Sequence, residues 1–214
     1  MLSPYQNFII CDFETGGLPS KTKKAVHDVA VTEIALVAIN SKLEIVEQAS
    51  WLVKPYKEGL EYNPAAAAAS GITKQMTEEQ GEDIFFVQKE IVKFLKKYKQ
   101  GSSLPVMGGH NFIKFDSEFM LNLFEFCKDD LLKYVNNDPE DTIKWSRLMW
   151  PESTNYKLGT CCENAGITLV NAHRALSDTL STAELFIYFM KNLRGINGSV
   201  SKTEEVKFRH TFEI

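Results

Sequence analysis

The 214-residue sequence has no apolar run as long as a membrane span requires. Its start, Met1-Leu2-Ser3-Pro4-Tyr5, lacks the basic and apolar regions of a secretory leader. Cysteine is scarce. Cys11, Cys127, Cys161 and Cys162 show neither CxxC spacing nor a disulfide framework, so they are expected to be reduced and the chain cytoplasmic. Neither HExxH nor any Cys/His ligand spacing occurs, which leaves zinc without its usual donors. A GxxxxGK[ST] loop is also missing, so a nucleotide-driven motor or kinase of the P-loop kind is not indicated. Nor is there an excess of basic residues. A net charge of -4 argues against a tight, non-specific duplex binder, whose affinity rests on neutralised phosphates. It leaves room for an enzyme that grips only a strand end.

What is present fits one soluble domain with a sizeable core: 44% hydrophobic and 24% charged residues. Phe8 to Phe13 is nearly continuous apolar sequence and reads as a central strand buried on both faces. Val29 to Ile39 and Leu43 to Val53 read as strands of a hairpin, joined through Asn40-Ser41-Lys42. Pro64, five alanines and Ser70-Gly71 spell a short helix with proline in its first turn and glycine after its end. Residues 82–99 are an amphipathic helix, with Ile84, Val87, Ile91, Leu95 and Tyr98 on one face and Lys89, Lys93, Lys96 and Lys97 mostly off it. A short strand follows over Leu104 to Gly108, then a helix from about Phe115 to Cys127. Short helices are expected over 142–149 and 156–165, the second capped by Thr154 or Asn155, and a long one over Arg174 to Leu193. The order implies an α/β domain whose mixed sheet begins antiparallel and ends parallel. Residues 1–194 form the expected domain, and 195–214 are polar and unassigned.

Three short clusters carry the chemistry. Asp12 and Glu14 lie two apart at the end of the first strand, so they share a face. Two carboxylates so close repel unless a cation lies between them. The glycines of Thr15-Gly16-Gly17 allow a close backbone approach to a ligand. Asp116 heads the core-facing stripe Phe119, Met120, Leu123 and Cys127 of its helix. The helix dipole would account for an acid near that terminus, though not for one on the buried stripe. Asp178 likewise heads Ser181, Leu185 and Phe189, and His173 stands five residues before it. Inward acids need a shared counter-charge, and hard oxygen donors favour Mg²⁺ or Mn²⁺. Two such ions suit in-line phosphoryl displacement. A neutral histidine beside them can take a proton from water near neutral pH.

Asp12-Phe13-Glu14-Thr15-Gly16-Gly17-Leu18, Gly109-His110-Asn111-x-x-Lys114-Phe115-Asp116 and His173-x-Ala175-x-x-Asp178 together resemble the three motifs of the DnaQ-like 3′–5′ exonucleases, in their DEDDh branch. The likeness runs from about Phe8 to Leu193 and takes in Ser70-Gly71-Ile72-Thr73. It implies an RNase H-like fold and release of nucleoside 5′-monophosphates from 3′ ends with two Mg²⁺ ions. Asp12, Glu14, Asp116 and Asp178 would hold the metals, and His173 would be the general base. Thr15, Leu18, Asn111 and Phe112 match positions that touch the substrate. Three residues, Phe112-Ile113-Lys114, separate Asn111 from Phe115. Bacterial proofreading subunits and RNase T usually have two, and the longer form is more like exonuclease I and the TREX-type enzymes, which act on DNA.

The expected activity is thus hydrolysis at single-stranded or frayed 3′ ends, DNA before RNA. The expected partners are a nucleic-acid 3′ end and a polymerase or repair complex, with no membrane. RNA 3′-end trimming and polymerase proofreading are the rivals within the class. A non-catalytic nucleic-acid-binding module and a structural protein with surface acids are the rivals outside it. All five motif residues are intact, which disfavours a module that lost its chemistry. Lys21, Lys23 and Lys24 read first as a solvated loop and second as phosphate contacts.

Overall fold

The structure, a computed structural model, describes residues 6–19, 26–169 and 174–195. Five strands form one sheet: β1 (Phe8–Thr15), β2 (Val31–Ile39), β3 (Ile45–Leu52), β4 (Val106–Gly109) and β5 (Glu140–Asp141). Their order is β3-β2-β1-β4-β5. The β3-β2-β1 half is antiparallel, and β4 and β5 add parallel to β1. This is the mixed α/β sheet that the order of elements predicted. The helices are α1 (Pro64–Ser70), α2 (Lys74–Gln80), α3 (Ile84–Lys97), α4 (Asp116–Phe126), α5 (Thr142–Met149), α6 (Leu158–Ala165) and α7 (Ala175–Leu193). No described helix is long and apolar enough to cross a membrane.

Alternation along β1 sorts its side chains between two cores. Ile9, Cys11 and Phe13 pack with Ile84, Val87 and Ile91 of α3 and with Phe119, Met120 and Leu123 of α4. Phe8 and Ile10 face the other way, onto Leu185, Phe186 and Phe189 of α7. The Phe8 and Phe186 rings meet with centroids 4.8 Å apart. Every residue of β2 is buried, as a central strand covered on both faces must be. The four cysteines are free; Cys11, Cys161 and Cys162 are buried, as core and helix packing require.

Local signals explain the element ends. Asn63 Oδ1 accepts the Ala65 N–H at 2.8 Å ahead of Pro64, and Gly71 closes α1 in the left-handed region at φ 72°. Asp83 caps α3 through the Phe85 and Phe86 N–H groups. Two expectations change. The second helix of the 142–165 stretch begins at Leu158, with Lys157 in the cap position and no side-chain cap. Asn155 instead accepts the Lys157 N–H and the Thr160 hydroxyl, bracing the turn before it. Helix α2 has no counterpart in the sequence reading. It is one short segment capped by Thr73, with Thr77 its single buried residue, so it carries almost no apolar periodicity.

Gly16 shows why the first motif needs glycine. Its N–H donates to Ala30 O at 2.7 Å and its carbonyl accepts from Asn63 N–H at 2.6 Å. A Cβ there would stand 2.2 Å from the Glu61 carbonyl oxygen. The close approach that Gly16 permits is therefore to the chain itself, and it fixes the strand end that carries Glu14. Gly16→Ala must push two backbones apart, a change that typically costs about 1–3 kcal/mol or more. Denaturant unfolding should show that loss, and an unchanged midpoint would mean the contact is slack.

Candidate active site

Strand β1 runs to Thr15, so Asp12 and Glu14 lie inside it and continue the row of Phe8 and Ile10. That row faces α7, which carries Asp178 in its first turn. Strand alternation and helix placement thus bring the first and third motifs together. Asp12, Glu14 and Asp178 each offer an oxygen, and the three oxygens lie within 4.8 Å of one another. All three residues are half-buried.

Asp116 reaches the same place from the opposite core. It opens α4 at 2% exposure, and its Oδ1 accepts the Phe13 N–H at 3.1 Å. It stands outside the three-oxygen group but beside Asp12, whose carboxyl its charge helps to raise. His173 lies outside the described residues, as do Lys21, Lys23 and Lys24.

Electrostatics follow from this crowding. Burial pushes the Asp12 carboxyl well above the carboxylate range, and Asp116, Glu14, Asp178 and Glu33 push it further. Burial lifts Glu14 to about 7, helped by Asp178 and Glu33 and opposed by the Arg174 guanidinium. Burial lifts Asp116 to about 7 against the stabilising Phe13 N–H. Such acids are the hard, oxygen-only donors that a small divalent cation requires, and they lack a cation of equal strength among the described residues. The residues present fit a metal.

The remaining motif residues differ in placement. Thr15 is buried, and its hydroxyl donates to Gly17 O at 2.7 Å. Leu18 is 77% exposed, an apolar side chain standing in solvent beside the motif. Asn111 sits in the left-handed region at φ 67°, its N–H donating to Asp141 Oδ1 at 3.1 Å. Phe112, expected at the substrate, is instead part of the core at 2% exposure, packed with the α3 and α4 residues. The 3-10 turn Phe112–Lys114 turns its ring inward and leaves the next residue, Ile113, outside.

Four residues that the sequence did not single out shape the site. Glu33 lies directly opposite Glu14 in the β1–β2 pairing and is 3% exposed. A lone acid inside Val31-Thr32-Glu33-Ile34-Ala35-Leu36 is its only sequence signal. Arg174 binds it. Asp141 accepts from the Asn111, Ile113 and Ile143 N–H groups, so one carboxylate caps α5 and holds the turn before α4. His110 bridges Thr142 Oγ1 and Tyr156 O, both at 2.8 Å. The carbonyl can only accept, so Nε2 carries a proton, and burial lowers the pKa of the ring.

The exonuclease family model, RNase_T, matches residues 9–186. The chain belongs to this exonuclease family. It is 30% identical over 210 residues to the PolC-type DNA polymerase III of Caldanaerobacter subterraneus subsp. tengcongensis, covering 97% of this chain and 13% of the polymerase. It is 29% identical over 197 residues to the ribonuclease T of Vibrio cholerae, covering 89% of this chain and 84% of that enzyme. The chain thus spans about an eighth of the polymerases it matches and most of ribonuclease T. Among solved structures, E. coli exonuclease I in complex with a dT13 oligonucleotide superposes with a TM-score of 0.73 at 21% identity, over 89% of this chain and 42% of that one. That likeness establishes the shared fold.

The raised acids set a pH dependence. For Glu14 and Asp116 the folded pKa lies above the unfolded one, so the stability they contribute is full below the ordinary carboxylate range and is lost as pH rises to about 7. Metal-free protein should therefore melt at lower temperature at about pH 8 than at about pH 5, and Mg²⁺ should reverse most of the loss while releasing protons. A flat profile in EDTA would show that burial and crowding do not raise these carboxyls in the folded protein.

Proposed function

We propose that this chain is a metal-dependent 3′–5′ exonuclease that removes nucleoside 5′-monophosphates from single-stranded or frayed 3′ ends, with DNA preferred over RNA. Residues 1–194 carry the activity. The observation behind the proposal is the convergence of Asp12, Glu14 and Asp178 oxygens within 4.8 Å, with Asp116 alongside, in a chain of the exonuclease family. The exonuclease I likeness and the PolC relatives support DNA, and the three-residue spacing before Phe115 agrees. The ribonuclease T match favours RNA 3′-end trimming as the second reading. The PolC matches support proofreading as a further reading, with a polymerase or repair complex as the partner.

Asp12, Glu14, Asp116 and Asp178 would hold two Mg²⁺ or Mn²⁺ ions. Such ions stabilise the attacking and leaving oxygens of an in-line displacement at phosphorus. The protein's own residues do the rest. The Phe13 N–H fixes one oxygen of Asp116, so that carboxylate cannot rotate away. Exposed Leu18 offers an apolar surface for the terminal base. Asp141 locks the backbone of Asn111, which presents its amide to the strand. His173, one residue before Arg174, accepts a proton from the attacking water at its imidazole and must be neutral to do so.

With Mg²⁺, a 5′-labelled strand should shorten as a descending ladder, and a blocked 3′ end should protect it. Asp12→Ala, Asp116→Ala or Asp178→Ala should abolish turnover in a protein that stays folded, because each change removes repulsion together with a ligand. Cuts in a circular strand, early release of the labelled 5′ nucleotide, or hydrolysis that survives full chelation would reject the proposal.

His173→Ala should lower turnover by roughly 10²–10⁴-fold and leave strand affinity and metal binding nearly unchanged. The wild-type rate should fall in acid as the imidazole is protonated. Protonated metal ligands would give a similar fall, so both proteins must be profiled. If the mutant turns over normally with the wild-type profile, another group takes the proton.

A further inference from the structure

The Glu33–Arg174 pair does more than its position in the fold requires. The Arg174 Nε–H donates to Glu33 Oε2 at 3.2 Å and an Nη2–H donates to Oε1 at 3.0 Å. The Ala175 N–H, at the start of α7, adds a bond to Oε2 at 3.1 Å. The two-pronged contact fixes the plane of the guanidinium. Yet the partners differ in exposure: the side chain of Glu33 is 4% exposed and that of Arg174 is 49% exposed. A guanidinium carries five N–H groups, and Glu33 engages one on Nε and one on Nη2. The others make no hydrogen bond among the described residues, and the side chain is half exposed. Glu33 lies opposite Glu14 in the sheet, so the cation that it holds stands beside the acid group. Glu33 holds the guanidinium in one plane and leaves its outer N–H groups without a bond among the described residues.

An acid-lined site that accepts a phosphodiester needs a fixed positive group that does not fill the metal position. We infer that Arg174, held in one orientation by Glu33, is a substrate-binding residue that grips a backbone phosphate of the strand entering the site, a role that rests on the exonuclease reading above. An arginine suits this because its planar donors can pair with a carboxylate on one edge and phosphate oxygens on the other.

The test is the salt dependence of KM for a 5′-labelled DNA single strand in Mg²⁺, with kcat followed separately. Losing one charge-assisted contact should raise KM about tenfold in Arg174→Gln, with a smaller change in kcat. Losing one phosphate contact should also flatten the slope of log KM against log salt by about 0.7. Arg174→Lys keeps the charge and should keep the slope. Glu33→Gln frees the arginine, so KM should rise with the slope retained. Arg174→Gln leaves Glu33 buried without its cation and could unfold the entry to α7, so the neutral pair Glu33→Gln/Arg174→Gln is the second variant. It should show the same flattened slope. A wild-type slope in both Arg174→Gln proteins, or a raised KM with no change of slope, would overturn the assignment while leaving the exonuclease reading intact. A wild type that shortens no 3′ end in Mg²⁺ removes both.

Discussion

Repulsion between carboxylates held together by packing is the constraint around which this structure is arranged. The row Phe8, Ile10, Asp12, Glu14 starts as core and ends as acid. Because side chains alternate, the apolar half of the row pins the strand against α7 and leaves no freedom to swing the acidic half elsewhere. Leu185, Phe186 and Phe189 anchor α7 on that face, and two turns earlier the same helix presents Asp178. Hydrophobic packing thus imposes a geometry that electrostatics alone would disperse. The cost is visible in the carboxyls of Asp12, Glu14 and Asp116, which burial raises first and neighbouring acids raise further. A divalent cation turns the same geometry from a liability into a binding site.

Around the acids lies a layer of groups that hold them still. The Phe13 N–H fixes Asp116, and Arg174 with the α7 N-terminus fixes Glu33. Asp141 and His110 tie the turn after β4 to α5 and to the Tyr156 carbonyl. Gly16 lets the end of β1 touch the Glu61 backbone. These contacts come from distant parts of the chain and brace the elements that carry the motif residues.

Much of this was legible in the sequence, and the reasons differ by element. Helix α3 carries a clean apolar period and strand β2 an apolar run from Ile34 to Ile39, so both were readable without tertiary context. The meeting of Asp12, Glu14 and Asp178 was legible from strand alternation and from an acid heading a helix stripe, while His173 lies outside the described residues. Helix α2 was not readable, since a single buried threonine leaves no pattern. Phe112 was misplaced because spacing fixes which residues follow Asn111 but not how a 3-10 turn divides Phe112 and Ile113 between core and surface. Glu33 and Arg174 were missed because their meaning is a pairing across 141 residues, and neither carries it alone.

The charge balance links these features to the substrate. The chain is net negative, and the acids around Asp12 make its site more so. A nucleic-acid strand is repelled by such a surface unless positive charge is placed at the point of contact. Bound divalent ions would supply that charge at the scissile phosphate, where it is needed in the transition state. They cannot supply it one nucleotide away, because their positions are set by the acids. A rigid arginine on the rim can, provided that something stronger than Glu14 holds it. Glu33 meets that condition: it is buried, opposite Glu14 in the sheet, and bonded at both of its oxygens. A fifth acid in an already crowded site is therefore not surplus charge. On the proposed reading it keeps a cation available to an anionic substrate while that cation stays bonded to Glu33.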